Sequence, residues 1–326
     1  MRVWNLPIIE VMSFADIEED RDTALVVSKE AYDAVSDRIL FRTASCVSVD
    51  RAIEAEWRSL ASEVHGEVIY AVGGGVAVDA AKFIGSVKAM PVVSLPTAMT
   101  VDAFFTWASG VREDGCVRYI ETGPPERVVI DLDVLGQAPG SLRAAGICDL
   151  LSIATGSWDW RYARDSDQLD SETAYQAWVD KMAMSILDAA IDCSEAAGRG
   201  DPDGLKQLID CLALEVQLCN QIGHSRPEEG SEHYFAYAAE SLVDRAVPHG
   251  DLVGPGILVA AHLQKQDLAP LRQALNEARV PLTSLQGSVI DQTVQSLSEY
   301  VANHGLPYGI AHDFTDSSTG YADILL

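Results

Sequence analysis

The stretch Val68-Ile69-Tyr70-Ala71-Val72-Gly73-Gly74-Gly75-Val76-Ala77-Val78-Asp79-Ala80-Ala81-Lys82 decides the fold. It begins as an apolar, β-branched run of strand length, passes through three glycines and continues in a helical period. That reads as strand, tight turn and helix N-terminus. Such a turn has two readings. It is a structural corner that needs glycine for positive φ, or a cradle where backbone N–H groups and the helix dipole meet an anion such as a diphosphate.

Outward from this stretch the pattern alternates. Strand-like runs fall at Ile8–Met12, Thr23–Ser28, Ala44–Val49, Val68–Val72, Pro91–Leu95 and Arg127–Leu132. Helical spacing covers Glu30–Leu40, Arg51–Val64 and the segment to about Val87. Strands alternating with helices predict a parallel sheet covered on both faces. Trp107–Val111 and Cys116–Ile120 flank Asp114-Gly115, the signal of a β-hairpin. Beyond Gly136 long helical periods take over, at Ser141–Arg164, Glu172–Ala197, Gly204–Ile222, Glu232–Val243, Leu252–Gln264 and shorter pieces to His304. The expected division is an α/β domain over residues 1–136 and an all-α domain over 137–326. The tail His312–Leu326 reads as irregular.

The totals exclude several classes. With 326 residues, 48% hydrophobic, the chain has material for a packed core. A formal net charge of −26 argues against a nucleic-acid partner, which needs a basic face. No uncharged apolar run of about 18 residues is present, so no membrane span is expected. The N-terminus carries no secretion-signal pattern. Six cysteines without a C-x-x-C pair read as reduced core residues, Cys148 included, and the chain reads as cytoplasmic. Large apolar helical faces predict a homo-oligomer.

Three residues in the helical half could carry chemistry. Asp149 stands alone in the apolar segment Ala145-Gly146-Ile147-Cys148-Asp149-Leu150-Leu151, where a carboxylate is costly unless paired or bound to a cation. His233 opens one apolar helix, and His249 immediately precedes another. One carboxylate and two imidazoles suit a divalent metal with an open position for substrate. Taken singly, each also reads as a hydrogen-bonded or surface side chain.

Four strings together resemble the metal-dependent (iron-type) alcohol dehydrogenase superfamily. The first is Gly73-Gly74-Gly75-x-x-Val78-Asp79-x-Ala81-Lys82, similar to its glycerol dehydrogenase branch. Ala138-Pro139 through Ala145-Gly146-x-x-Asp149-Leu150 with Asp159-Trp160-Arg161-x-Ala163, Ser225-Arg226-Pro227-x-x-Gly230-Ser231-Glu232-His233-x-Phe235, and His249-Gly250-x-x-Val253-Gly254-x-Gly256 resemble sn-glycerol-1-phosphate dehydrogenases. The resemblance implies a Rossmann-like domain and a helical domain in the dehydroquinate synthase-like architecture, with the site between them. It implies Asp149, His233 and His249 as ligands of zinc, or of nickel or iron. It places Gly73, Gly74, Gly75, Val76, Ala77, Val78 and Asp79 on the diphosphate loop of NAD or NADP, with Thr97, Thr100 and Thr106 as further cofactor contacts. Asp102 falls on a substrate-contacting aspartate. The implied substrate is a small phosphorylated or polyhydroxylated alcohol, with sn-glycerol 1-phosphate and dihydroxyacetone phosphate leading.

The sequence departs from that pattern at several positions. Tyr237 replaces a substrate-reaching histidine, which makes it a candidate catalytic residue of altered chemistry. Ala98-Met99-Thr100 and Phe104-Phe105 are bulkier than usual and suggest a reshaped pocket. His224 replaces a serine, the first strand lacks a following glycine pair, and Lys29 permits NADP. Two other readings remain: a dehydroquinate synthase-like cyclase using NAD transiently, and a non-catalytic member that binds nucleotide or metal. Stoichiometric reduction of cofactor separates the first from a dehydrogenase, and metal content tests the second.

Overall fold

The computed structural model describes residues 2–314 and 320–325. Eight strands are present: β1 (Ile8–Val11), β2 (Thr23–Val27), β3 (Thr43–Ser48), β4 (Val68–Gly73), β5 (Val92–Pro96), β6 (Ala108–Glu113), β7 (Cys116–Glu121) and β8 (Arg127–Ile130). Six of them form one sheet in the order β1-β8-β5-β4-β2-β3, every pair parallel. The central strands β2 and β4 are buried along their whole length, as a sheet covered on both faces requires. Alternation divides their side chains. Leu25, Val27, Val68, Tyr70 and Val72 enter one core, while Ala24, Val26, Ile69 and Ala71 enter the other.

Helices α1 (Lys29–Val35), α2 (Glu54–Leu60) and α3 (Gly75–Lys88) connect these strands. From β2 the chain runs outward to β3 at the edge, then returns to β4 on the other side of β2. The strand order therefore reverses between β2 and β4, and a crevice opens beyond their carboxyl ends, where open α/β sheets bind ligands. The glycine triplet lies at that point. β6 and β7 form the expected antiparallel hairpin, with Asp114 and Gly115 at φ of 51° and 75°.

After β8 the described chain is helical: α4 (Leu132–Gln137), α5 (Gly140–Arg143), α6 (Ile147–Leu151), α7 (Ile153–Asp165), α8 (Ala177–Arg199), α9 (Pro202–Ile222), α10 (Ser231–Ser241), α11 (His249–Leu263), α12 (Ala269–Glu277), α13 (Gly287–Asn303) and α14 (Ile310–Asp313). The single helix expected over Ser141–Arg164 is three. α8 begins five residues later than its periodicity suggested, because Asp170 accepts from the Glu172 and Thr173 amides and holds a turn there. The tail is less irregular than expected. His312 lies in α14 and Tyr321–Leu325 form a 3-10 turn, while residues 315–319 and 326 lie outside the described part. One apolar core continues from a face of the sheet into the helical half.

Candidate active site

The site is assembled by the segment after β5. Gly73 sits at φ +145°, and a Cβ there would stand 2.7 Å from Ser28 Oγ at the end of β2. Gly74 and Gly75 admit the neighbouring turn closely. Cβ atoms on them would lie 3.3 Å from Thr100 Oγ1 and 2.9 Å from Val101 Cγ2. Any side chain at this corner would fill the space over the N-terminus of α3, whose first amides no side chain caps. The next residue in that turn, Asp102, donates its backbone N–H to Asp149 Oδ2 at 2.8 Å. Residues 100–102 thus tie the glycine turn directly to the carboxylate on α6.

Around Asp149 the expected trio converges. His249 Nε2 lies 2.9 Å and His233 Nε2 3.9 Å from Asp149 Oδ1, and the ligand atoms of all three fall within 4.8 Å of one another. Among the described residues this is one of two groups close enough to share a metal ion. His233 is the third residue of α10. His249 is the first residue of α11 rather than a residue ahead of it, because Pro248 supplies the extended N-cap. The two helices approach closely: a Cβ on Gly256 would fall 2.4 Å from the Glu232 carbonyl oxygen. The core role of Cys148 holds, since it is fully buried against the Gly250 carbonyl.

Glu232, fully buried, lies 2.9 Å from His233 Nδ1 through Oε1, which turns Nε2 toward Asp149. Burial opposes charge on His233, but the Glu232 hydrogen bond and charge overcome it and push the imidazole up to about 9. Burial, then the Asp149 charge, pushes Asp102 up to about 8. Sequence reasoning missed Glu232, although its position beside His233 was the available signal.

Other expected residues have different surroundings. Lys82, buried at the third turn of α3, donates to Ala103 O at 2.9 Å and Thr106 Oγ1 at 3.0 Å and pairs with Asp79 Oδ1 at 3.0 Å. Asp79 Oδ2 also accepts the Gly110 amide. The polar atoms of Asp79 and Thr106 are thus engaged inside the protein, where they fix the 3-10 turn carrying Asp102 and the start of β6. Thr97 donates its backbone N–H to Gly73 O at 3.2 Å, and Thr100 Oγ1 lies 3.3 Å from a Cβ built on Gly74, so both stand at the glycine turn.

Tyr237 does not reach the trio with its hydroxyl. It donates to Glu229 Oε1 at 2.7 Å and meets Tyr119 Oη at 3.0 Å, and burial with the Glu229 charge holds it protonated. Met99, Phe104 and Phe105 are core side chains rather than a remodelled pocket surface, because the turn after β5 packs inward. His224 packs edge-on to Trp160 and is driven down to about 4, first by burial and then by Arg226. Lys29 pairs with Asp33 on the surface of α1.

Comparison with known proteins bears on the fold that carries this site. The iron-containing alcohol dehydrogenase family matches residues 13–139. A glycerol-1-phosphate dehydrogenase [NAD(P)+] of Methanothermobacter thermautotrophicus is 29% identical over 245 residues, covering 74% of this chain and 68% of that protein. The Thermococcus kodakarensis enzyme of the same name is 29% identical over 259 residues, 79% of this chain and 71% of its own length. The backbone superposes on a probable glycerol dehydrogenase from Sinorhizobium meliloti 1021 with a TM-score of 0.72, 17% identity and coverage of 99% and 97%. For a sulfoacetaldehyde reductase from Bifidobacterium kashiwanohense solved with NAD+, the TM-score is 0.68, with 14% identity and coverage of 100% and 97%. By its four strings and by these matches the chain is similar to the iron-containing alcohol dehydrogenases, and its parallel sheet with a helical remainder is their fold.

Proposed function

We propose that the chain is a metal-dependent, NAD(P)-linked dehydrogenase of a small polyol, interconverting a hydroxyl and a ketone. The observation that carries this reading is the link through residues 100–102 between the glycine turn and the Asp149/His233/His249 trio. The donor set fits a divalent cation: one carboxylate oxygen and two imidazole nitrogens, with a carboxylate behind one imidazole. Held by Asp149, His233 and His249, such a cation would lower the pKa of a substrate hydroxyl, or polarise the ketone in reverse. Nicotinamide supplies the hydride acceptor, so alcohol plus NAD(P)+ gives ketone, NAD(P)H and a proton.

The chain's own residues do the rest. Gly73 to Val78 leave the α3 N-terminus open to a diphosphate, with Thr97 and Thr100 beside it. Asp102 is held against Asp149 by its backbone and presents a carboxyl to orient the substrate hydroxyl or take its proton. Lys82 and Asp79 hold that turn in place. On this reading residues 1–136 bind the cofactor and 137–326 hold metal and substrate. Zinc suits the donor set best, and nickel or iron also fits.

The test is reduction of NAD and NADP with glycerol and sn-glycerol 1-phosphate, on protein loaded with zinc, nickel or iron. Metal-dependent, stoichiometric formation of reduced nicotinamide supports the reading. Turnover without net reduction would move the chain to the cyclases.

A further inference from the structure

A second group of side chains lies beside this site, and no step above uses it. Glu215 and Cys219, one turn apart on α9, and Glu228, in the loop before α10, bring their ligand atoms within 4.8 Å of one another. α9 turns this face to the site. A Cβ on Gly146 would lie 3.1 Å from Met99 O, 3.2 Å from Val101 N and 3.3 Å from Leu212 Cδ1, and Leu212, Glu215 and Cys219 follow at helical spacing. Glu229 adds a further carboxylate, held by Tyr237 and Ser225.

Glu215 is 1% exposed and its Oε2 has no hydrogen-bond partner, while Glu228 is 8% exposed. A buried carboxylate left in that state is costly unless a cation or a proton meets it. Among the described residues no ion pair joins a nearby base to Glu215 or Glu228, although Arg226 keeps Nε and Nη1 unpartnered. Lys82 pairs with Asp79, Arg112 with Glu240, and Arg226 donates to the carbonyls of Asp159 and Tyr308. The charges that act most strongly on Glu215 are Asp102, Asp149 and Glu229, and those on Glu228 are Glu215, Asp102, Glu229 and Asp149. Beside the trio, the protein presents an acidic wall.

We infer that Glu215 and Glu228 recognise the ammonium group of an amino-bearing polyol, so that the substrate is a small amino alcohol rather than a phosphate ester. This rests on the dehydrogenase reading and deepens it. A phosphate placed here would face several carboxylates in a site of low dielectric, whereas an ammonium supplies three donors to oxygens that lack them. A second metal ion is the rival occupant. Cys219 speaks against it: its thiol donates to Glu215 Oε1 at 3.2 Å and is pushed well above its usual range by burial and then by Glu215, so it is no ready thiolate ligand.

The test compares 3-amino-1,2-propanediol, glycerol and sn-glycerol 1-phosphate as substrates of the metal-loaded protein. In parallel, their binding to cofactor-loaded protein is measured by calorimetry. The expected result is a kcat/KM for the amino diol at least about tenfold above glycerol, with the phosphate poorest, as a buried charge-assisted hydrogen bond provides. Glu215→Gln and Glu228→Gln, each confirmed folded by circular dichroism, should lower the amino-diol to glycerol ratio about tenfold. An unchanged ratio in both folded variants overturns the inference, as does preference for the phosphate. A second equivalent of metal that Glu215→Gln loses also overturns it, in favour of a metal site. If no compound reduces cofactor, the dehydrogenase reading fails, and calorimetric preference for the amino diol decides the ammonium site separately.

Discussion

Two acidic corners lie side by side in this molecule, and they are finished differently. At the trio, Asp149 accepts from the Asp102 amide and faces both histidines, and Glu232 stands behind His233. At the wall, Glu215 Oε2 is buried without a partner, and acids are the strongest charges acting on Glu215 and Glu228. The first corner is organised to hold a cation in one geometry. The second is complementary to positive charge but leaves the charge to come from outside.

The contrast can be broken most forcefully at Asp149. Asp149→Asn should lose metal and lower kcat/KM by more than about 100-fold, since even groups behind a ligand cost 10- to 100-fold. Elemental analysis and cofactor reduction read both effects. Glu232→Gln should weaken metal affinity by about tenfold or more while the far-ultraviolet circular dichroism stays unchanged. An unaltered affinity would mean that Glu232 does not orient His233.

The wall yields a stability test. Burial, then the Asp102 charge, raises Glu215 above its unfolded value, so its favourable contribution is complete below the unfolded pKa. That contribution is lost as pH rises through the folded pKa. Urea unfolding of the metal-loaded protein should therefore show Glu215→Gln gaining on the parent chain between pH 5 and 8, by on the order of 1 to 2 kcal/mol. A difference that stays flat with pH would show the carboxyl already compensated. The smallest effect belongs to Tyr237→Phe, which removes one hydrogen bond to Glu229 and should cost about 1 kcal/mol in kcat/KM. A loss of 100-fold or more would restore Tyr237 to the catalytic role that its position suggested.

What could be read in the residues alone was local or came from resemblance. The strand–glycine–helix stretch and the Asp114-Gly115 hairpin are local, because backbone conformation there is set by neighbouring residues. The trio was legible because an aspartate in an apolar helix and two histidines at helix starts stand out against their surroundings. The wall was not legible in the same way. Glu215 sits on the buried stripe of α9 with Leu212 and Val216, one turn from the half-buried Cys219, and one acid in such a stripe was the only mark it left. The breaks within Ser141–Arg164 were also hidden, since apolar spacing continues across Ala144–Gly146 and Ser152 while the backbone turns. Tyr237 was placed correctly on its helix, but its partners Glu229 and Tyr119 are 8 and 118 residues away.

The central claim is that Asp149, His233 and His249 share one cation on which turnover depends. Activity should be abolished by chelation and return on titration with zinc, nickel or iron, rising to a break at one equivalent per chain. Full activity in chelated, metal-free protein would contradict it.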